Sequence, residues 1–226
     1  MNWPTKKLGE VEMLQNKQKI NKWQKDIEEI SKDVEDLLYS KYQAEKLEQI
    51  VRNNDFVKRN IGTFWTHYKL NLTYFLVIKI WHQIDEHPRS LSLIILLKNL
   101  LRNCKIFTKD WWTSQSKEGW LSQDEFKENF GDTHLDPVIV CNDIKDLEVA
   151  TKKVEKMRHK RIAHTDKNRN LHTKIKYTEI IKAANMIEKI TIKYLLLLTQ
   201  SGRDRLTPIE DDWKIAFTQE WIKDES

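Results

Sequence analysis

Apolar residues recur at helical spacing over most of the chain. In the first fifty residues they alternate steps of three and four, the pattern of a helix that packs along another helix. The positions are Ile20, Trp23, Ile27, Ile30, Val34 and Leu37. The charged residues between them are typical of a solvated helix face. The pattern stops at Asn53-Asn54-Asp55, which predicts the end of this helix.

Two further apolar stretches predict helices in the middle of the chain. The first covers about 56–85 and has one broad apolar side, and Pro88 interrupts the chain after it. Ser90 is a candidate N-cap for the second stretch, at 91–101. From 105 to 136 the pattern weakens into shorter helices and loops rich in tryptophan. Packing is the more frequent role of such tryptophans, and base stacking is the alternative.

Two long helices are predicted in the second half of the chain. Asp136-Pro137 marks a boundary, after which one helix runs from about 138 to 164. The other covers about 177–198 and stops at Ser201-Gly202. We therefore expect three parts, each described by its range. They are an N-terminal helical arm that packs on the bundle or a partner (1–55), a helical bundle (56–200) and a C-terminal tail that folds back as a short helix (201–226).

The composition supports an all-α fold. Among 226 residues there are only five Gly and four Pro, so the chain offers few tight turns for a many-stranded β fold. The net charge of +5 and the pI near 9 are compatible with a polyanionic partner such as RNA, but the excess is mild. The apolar runs are short and interrupted by lysine, and no signal sequence is evident at the start. We therefore expect a cytoplasmic protein that does not contact membranes.

The sequence lacks the motifs of several enzyme classes. It contains no HExxH pair, zinc-finger histidine spacing, P-loop, dinucleotide fingerprint or GxSxG element. Its two cysteines, Cys104 and Cys141, form neither a CxxC motif nor a disulfide framework. We therefore expect no metal site and no cofactor.

The segment 157–166 contains the most informative residues of the chain. Upstream, Leu147, Ala150, Val154 and Met157 share one helical face. At about 100° per residue, that face continues into Arg161 and His164, with Arg158 at one margin. A buried guanidinium or imidazole is unfavourable unless it is paired or used, so a functional site is plausible here.

A helix terminus is the alternative interpretation of this segment. Basic residues favour the last turn of a helix because of its dipole, and Thr165-Asp166 is typical of a stop. Arg158 and His164 also diverge by about 120° on an ideal helix. They could converge only on something large, such as a phosphate chain, or on a second copy of the motif across a dimer.

Arg158-His159 followed after four residues by His164 resembles the R-[NDH]-x(4–6)-H signature of the HEPN superfamily of helical domains. The longer string RHKRIAHTD is similar to the abortive-infection AbiU-type branch. Upstream, Trp81-His82-Gln83-Ile84-Asp85 followed by Ser90-Leu91 resembles the helix, aspartate and Ser-Leu restart of that branch. These features extend over about 61–198.

The resemblance implies a HEPN-like helical bundle that dimerises and brings two Arg/His motifs into one composite active site. Many HEPN proteins are metal-independent endoribonucleases used as toxins or in antiviral defence. By this resemblance, His164 is the general acid/base that acts on the RNA 2′-hydroxyl or the leaving 5′-oxygen. Arg158 binds the scissile phosphate and stabilises charge in the transition state.

The remaining residues of the motif have accessory roles in this interpretation. His159 occupies the variable polar position of the signature and is expected to orient the site or the phosphate. Lys160 and Arg161 are expected to contact the RNA backbone, Arg161 because it lies between Arg158 and His164 on the helical wheel. Asp166 either orients His164 or forms an ordinary turn.

Three functions from different classes therefore remain open. The first is a metal-independent, homodimeric endoribonuclease in phage defence or a toxin module, with RNA as substrate and an antitoxin or regulatory protein as a further partner. The second is a non-catalytic HEPN domain that binds RNA or a nucleotide. The third is a helical protein-interaction module in which the motif only ends a helix.

Overall fold

A computed structural model describes residues 4–115, 122–159, 175–207 and 215 of the chain. Within these ranges the chain forms α-helices and one short 3-10 helix, which confirms the all-α fold class. The α-helices are α1 (Pro4–Asn53), α2 (Asp55–Asn60), α3 (Gly62–Ile84), α4 (Leu93–Arg102), α5 (Lys109–Ser114), α6 (Gln123–Phe130), α7 (Pro137–Met157) and α8 (Tyr177–Thr199). The 3-10 helix is Cys104–Ile106. Most of the tail expected to fold back as a helix lies outside the described residues.

The long N-terminal helix α1 shares its core with the rest of the bundle. All six apolar positions between residues 20 and 37 are buried there, which confirms the predicted helix-packing seam. α1 packs along α8 and also contacts α3 and α4. Polar contacts strengthen this packing, since Gln24 Nε2 donates to the Leu198 carbonyl oxygen at 2.8 Å and Arg203 pairs with Glu35 at 2.5 Å.

The stretch predicted as one helix over 56–85 is two helices. α2 ends at Asn60, and α3 begins at Gly62. The prediction of a single long helix was therefore wrong. The break is at Ile61, next to Gly62, and glycine is a poor helix former. Asn54 caps α2 by accepting a hydrogen bond from the Val57 amide at 3.0 Å. No residue of α2 is buried, so apolar packing does not hold this short helix in line with α3.

The N-cap of α4 is Ser92, and the expectation of Ser90 was wrong. Ser92 Oγ accepts a hydrogen bond from the Ile95 amide at 3.4 Å and donates to the Asp85 carbonyl oxygen at 2.7 Å. Ser90 Oγ instead donates to the Asp85 carboxylate at 2.5 Å. Asp85 thus binds both serines, and these contacts determine which of them begins the helix.

The tryptophans of the middle region pack into the core. Trp112 is fully buried, with ring centroids 5.6 Å from Phe126 and 6.1 Å from Phe130. Trp111 is partly buried against the same core. These contacts confirm the packing role for both residues, while Trp120 lies outside the described residues.

Helix α7 packs against three other helices of the core. Asp136 caps its first turn by accepting a hydrogen bond from the Val138 amide at 2.8 Å, and Pro137 follows at the start of the helix. The buried face, which includes Leu147 and Val154, packs against α8, α3 and α4. Among the helices of the described ranges, none combines the length and apolar character that crossing a bilayer requires.

A buried polar contact joins α7 to α8. The Asp143 carboxylate accepts hydrogen bonds from Lys193 Nζ at 2.6 Å and from the Tyr194 hydroxyl at 2.9 Å. Tyr194 is fully buried. Burial first, and then the charge of Asp143, raise the pKa of Tyr194 well above its usual range. The phenol therefore remains a hydrogen-bond donor to Asp143 at all ordinary pH values.

Replacing Tyr194 with Phe should lower the free energy of unfolding by about 1.5–3 kcal/mol, because the hydroxyl donates to a charged acceptor. Urea denaturation measures this change. Tyr74→Phe is the matched control, because Tyr74 packs against the core without a hydrogen bond from its hydroxyl to any described residue. Equal stabilities of the two variants would contradict a stabilising role for the Asp143 contact.

Candidate active site

Arg158 follows directly after the last buried turn of α7. Val154 and Met157 are buried, and the Arg158 backbone continues in helical conformation with φ −54° and ψ −52°. Its amide donates to the carbonyl oxygens of Val154 and Glu155, so the residue is fixed to the end of the helix. The side chain is half-buried, which agrees with its predicted place at the margin of the apolar face.

The Arg158 guanidinium lies over the indole ring of Trp81. The distance from Cζ to the ring centroid is 3.9 Å. Trp81 belongs to the last turn of α3, and the packing of α3 against α7 brings the two residues together. Stacking uses the flat face of the guanidinium, while its N–H donors point outward in the plane of the group. A stacked arginine can therefore still bind a phosphate through two parallel hydrogen bonds.

His159 lies on the exposed side of the same turn. Its Nδ1 is 3.4 Å from Arg158 Nη1, and its Nε2 is 4.0 Å from the Glu155 carboxylate. Both contacts are long, so they bias the ring position without fixing it. His159 is placed where it could meet a ligand bound at the edge of the Arg158 guanidinium.

The other residues expected in the site lie outside the described residues. These are Lys160, Arg161, His164 and Asp166. The structure therefore brings together two members of the predicted site, Arg158 and His159, and their partner Trp81. The role assigned to each of the other four stays a prediction from the sequence.

The segment after Trp81 connects α3 to α4 through hydrogen bonds centred on Asp85. Its carboxylate accepts from the Ser90 hydroxyl at 2.5 Å and from the His87 amide at 3.2 Å. Its carbonyl oxygen accepts from the Ser92 hydroxyl that caps α4. The sequence elements Trp81–Asp85 and Ser90-Leu91 thus form one folded unit, and this unit positions the indole ring under Arg158.

Behind Trp81, a polar network links α3 to α1. Lys79 Nζ donates to Asp33 Oδ1 at 2.5 Å and to Asp36 at 3.2 Å. Gln83 Nε2 donates to Asp33 Oδ2 at 2.5 Å, and the Gln83 side chain is buried. This network went unrecognised in the sequence, because its members lie in separate helices and match no motif.

An acidic cleft of about 420 Å³ opens beside Trp81. Three carboxylate residues contribute to its wall, two from α1 and one that directly follows α3. The lining residues are Glu29, Ile30, Asp33, Trp81, His82, Gln83, Asp85, Ser90 and Leu91. In the described ranges, no three His, Cys, Asp or Glu side chains are arranged to share a metal ion. Trp81 therefore separates two surfaces of different character, the Arg158 cation and the acidic cleft.

A second groove, of about 470 Å³, lies between α1, the first half of α3 and the start of α8. Its lining includes Trp65, Leu72 and Tyr177. Burial, followed by the charges of Glu45 and Glu48, raises the pKa of Tyr177 to about 12. This groove is mainly apolar and does not include Arg158, so it is a weaker candidate for RNA chemistry.

The fold and the site define an all-α protein whose Arg/His motif begins at the end of a core helix. The chain matches the model of the HEPN family described as AbiU2 over residues 20–216. It therefore belongs to the AbiU2 family of HEPN domains, a family related to abortive infection. The match begins within α1, whereas the resemblance in the sequence covered only about 61–198. No curated protein matches the chain, and no solved structure does.

The contact between Arg158 and Trp81 predicts a measurable coupling energy. In a double-mutant cycle with Arg158→Met and Trp81→Leu, the two changes should be non-additive by about 0.5–1 kcal/mol in the free energy of unfolding. The matched control cycle uses Lys69 and Trp65, where the ammonium is 5.5 Å from the ring centroid and the coupling should be smaller. Additive effects at Arg158 and Trp81 would rule out an energetically significant contact.

Proposed function

We propose that this protein is a metal-independent endoribonuclease that acts in abortive infection of phage-infected cells or as a toxin. The observation that supports it best is the Arg158 guanidinium, whose Cζ lies 3.9 Å from the centroid of the Trp81 ring. An arginine stacked on a ring keeps its in-plane donors for a phosphate. Membership of the AbiU2 family supports the biological role. The net charge of +5 is compatible with RNA as substrate.

In the proposed reaction, Arg158 binds the non-bridging oxygens of the scissile phosphate. His164 takes the proton of the 2′-hydroxyl, the 2′-oxygen attacks phosphorus, and the bond from phosphorus to the 5′-oxygen breaks. A protonated imidazole gives its proton to the departing 5′-oxygen. The products are a 2′,3′-cyclic phosphate and a 5′-hydroxyl. Imidazole suits both roles because its ordinary pKa lies near neutral pH.

Accessory residues complete this proposal. His159, which approaches Arg158 Nη1, would orient the guanidinium or contact the phosphate. Lys160 and Arg161 would bind neighbouring phosphates of the RNA backbone. Asp166 would hold His164 in one orientation by accepting a hydrogen bond from its ring.

An RNA cleavage assay tests the proposed reaction. The wild-type protein should cleave RNA in the presence of EDTA and leave 2′,3′-cyclic phosphate ends. His164→Ala should reduce the rate by about 10²- to 10⁴-fold, because it removes the acid/base group. Arg158→Ala should reduce it by about 10²- to 10³-fold, because transition-state charge loses its donor. Cleavage rates are measured on purified protein by product analysis.

His134→Ala is the matched control, because His134 is partly exposed between α6 and α7 and belongs to no proposed site. It should cleave RNA at the wild-type rate. If His164→Ala also cleaved at that rate, the proposed mechanism would be wrong. RNA binding that persists in every variant without any cleavage would favour the non-catalytic RNA-binding function.

We also propose that the active enzyme is a homodimer, so that one His164 acts as base and the partner's His164 as acid. Support comes from large apolar side chains exposed on α2 and on the first half of α3. They include Phe56 at 72% and Phe64 at 67% exposure. Large apolar side chains that stay exposed are candidates for a protein interface.

Phe64→Asp should shift the protein from dimer to monomer and reduce RNA cleavage, because a charge in an apolar interface is unfavourable. Sedimentation analysis measures the mass, and the cleavage assay measures the activity. Val149→Asp is the matched control, since Val149 is 69% exposed on α7. A fully active monomeric Phe64→Asp protein would exclude the composite site.

A further inference from the structure

The acidic cleft beside Trp81 has a wall that accepts hydrogen bonds. Glu29, Asp33 and Asp85 supply carboxylates, and no lysine or arginine lines the cleft. Glu29 pairs with Lys32 and Asp33 with Lys79, and the oxygen acceptors of the wall favour a group that presents N–H donors. Its volume of about 420 Å³ falls within the usual range of small-molecule sites.

Gln83 gives this cleft a specific acceptor. The residue is only 1% exposed, and its Nε2 donates to Asp33 Oδ2 at 2.5 Å. Lys79 holds the other oxygen of the same carboxylate. The amide orientation is thereby fixed, and Gln83 Oε1 receives no hydrogen bond from any described residue. A buried acceptor without a donor is unfavourable, so a ligand that supplies the donor gains affinity.

Asp85 adds further acceptor capacity on the same wall. Its two oxygens receive one hydrogen bond each, from Ser90 and from the His87 amide. A carboxylate can accept about four hydrogen bonds, so each oxygen retains a lone pair. The lining of the cleft therefore contains two acceptors with spare capacity, the Asp85 carboxylate and the amide oxygen of Gln83.

We propose that this cleft binds a guanine base of the RNA, next to the phosphate held by Arg158. Guanine presents two adjacent donors, N1–H and the 2-amino group, on its Watson–Crick edge, and proteins read single-stranded RNA through such edges. Trp81 contacts Arg158 and also lines the cleft, so the proposed base and phosphate sites share this residue. The inference rests on the proposed function and names the sequence preference of that same site.

Equilibrium binding of guanosine 5′-monophosphate and inosine 5′-monophosphate tests the inference. The two nucleotides share the phosphate and differ only in the 2-amino group. The wild-type protein should bind the guanosine nucleotide about tenfold more tightly, the factor that corresponds to 1.4 kcal/mol. Gln83→Met should bring the ratio of the affinities for the guanosine and inosine nucleotides close to one. Gln18→Met is the matched control, because Gln18 is exposed on α1 and should leave the ratio unchanged.

A second variant covers the outcome that Gln83→Met does not fold. Leu91 is 49% exposed at the cleft, so Leu91→Arg should fold and place competing donors against the acceptors. It too should bring the ratio close to one.

Equal affinities for the two nucleotides in the wild type, or no binding at millimolar concentration, would overturn the guanine site. A ratio that survives in Leu91→Arg would also overturn it. The binding assay does not depend on cleavage. A guanine preference in a protein that never cleaves RNA would therefore contradict the proposed reaction and leave this inference standing.

Discussion

The packing of α7 against α3, α4 and α8 determines the geometry of the candidate site. Val154 and Met157 are anchored in the core, so the next residue, Arg158, has to emerge at the edge of α3. Trp81 lies at that edge, and the guanidinium comes to rest on its ring. The same end of α3 continues into Asp85 and the start of α4. The packing of α7 thus determines the positions of the Arg158 guanidinium, the Trp81 ring beneath it and the acidic cleft beside it.

Much of the fold is accessible from the sequence because it follows from local periodicity. The seam from Ile20 to Leu37 predicts a helix packed on another helix, and the structure confirms it. The final helix, predicted at about 177–198, is observed at Tyr177–Thr199. The helical wheel also places Arg158 at the margin of the buried face, where the side chain is half-buried. The motif itself led to the family that the match over 20–216 shows.

The features that escape the sequence depend on contacts between distant segments. The stack of Arg158 on Trp81 requires the relative placement of α3 and α7, which periodicity does not specify. In the same way, nothing local to Gln83 predicts that Asp33 of α1 fixes its amide. Each is a tertiary effect on a residue whose local pattern is ordinary.

The stack on Trp81 also changes the entropy of ligand capture. A free arginine side chain gives up about 2 kcal/mol of rotamer entropy when it is immobilised. Here most of that loss accompanies folding, so the guanidinium is ordered before any ligand binds. In the proposed function, the strength of phosphate binding would therefore depend on the rigidity of the α3–α7 pair. The ordering of the Arg158 side chain is therefore a property of the tertiary structure. The same string of residues in a lone helix would lack this ordering.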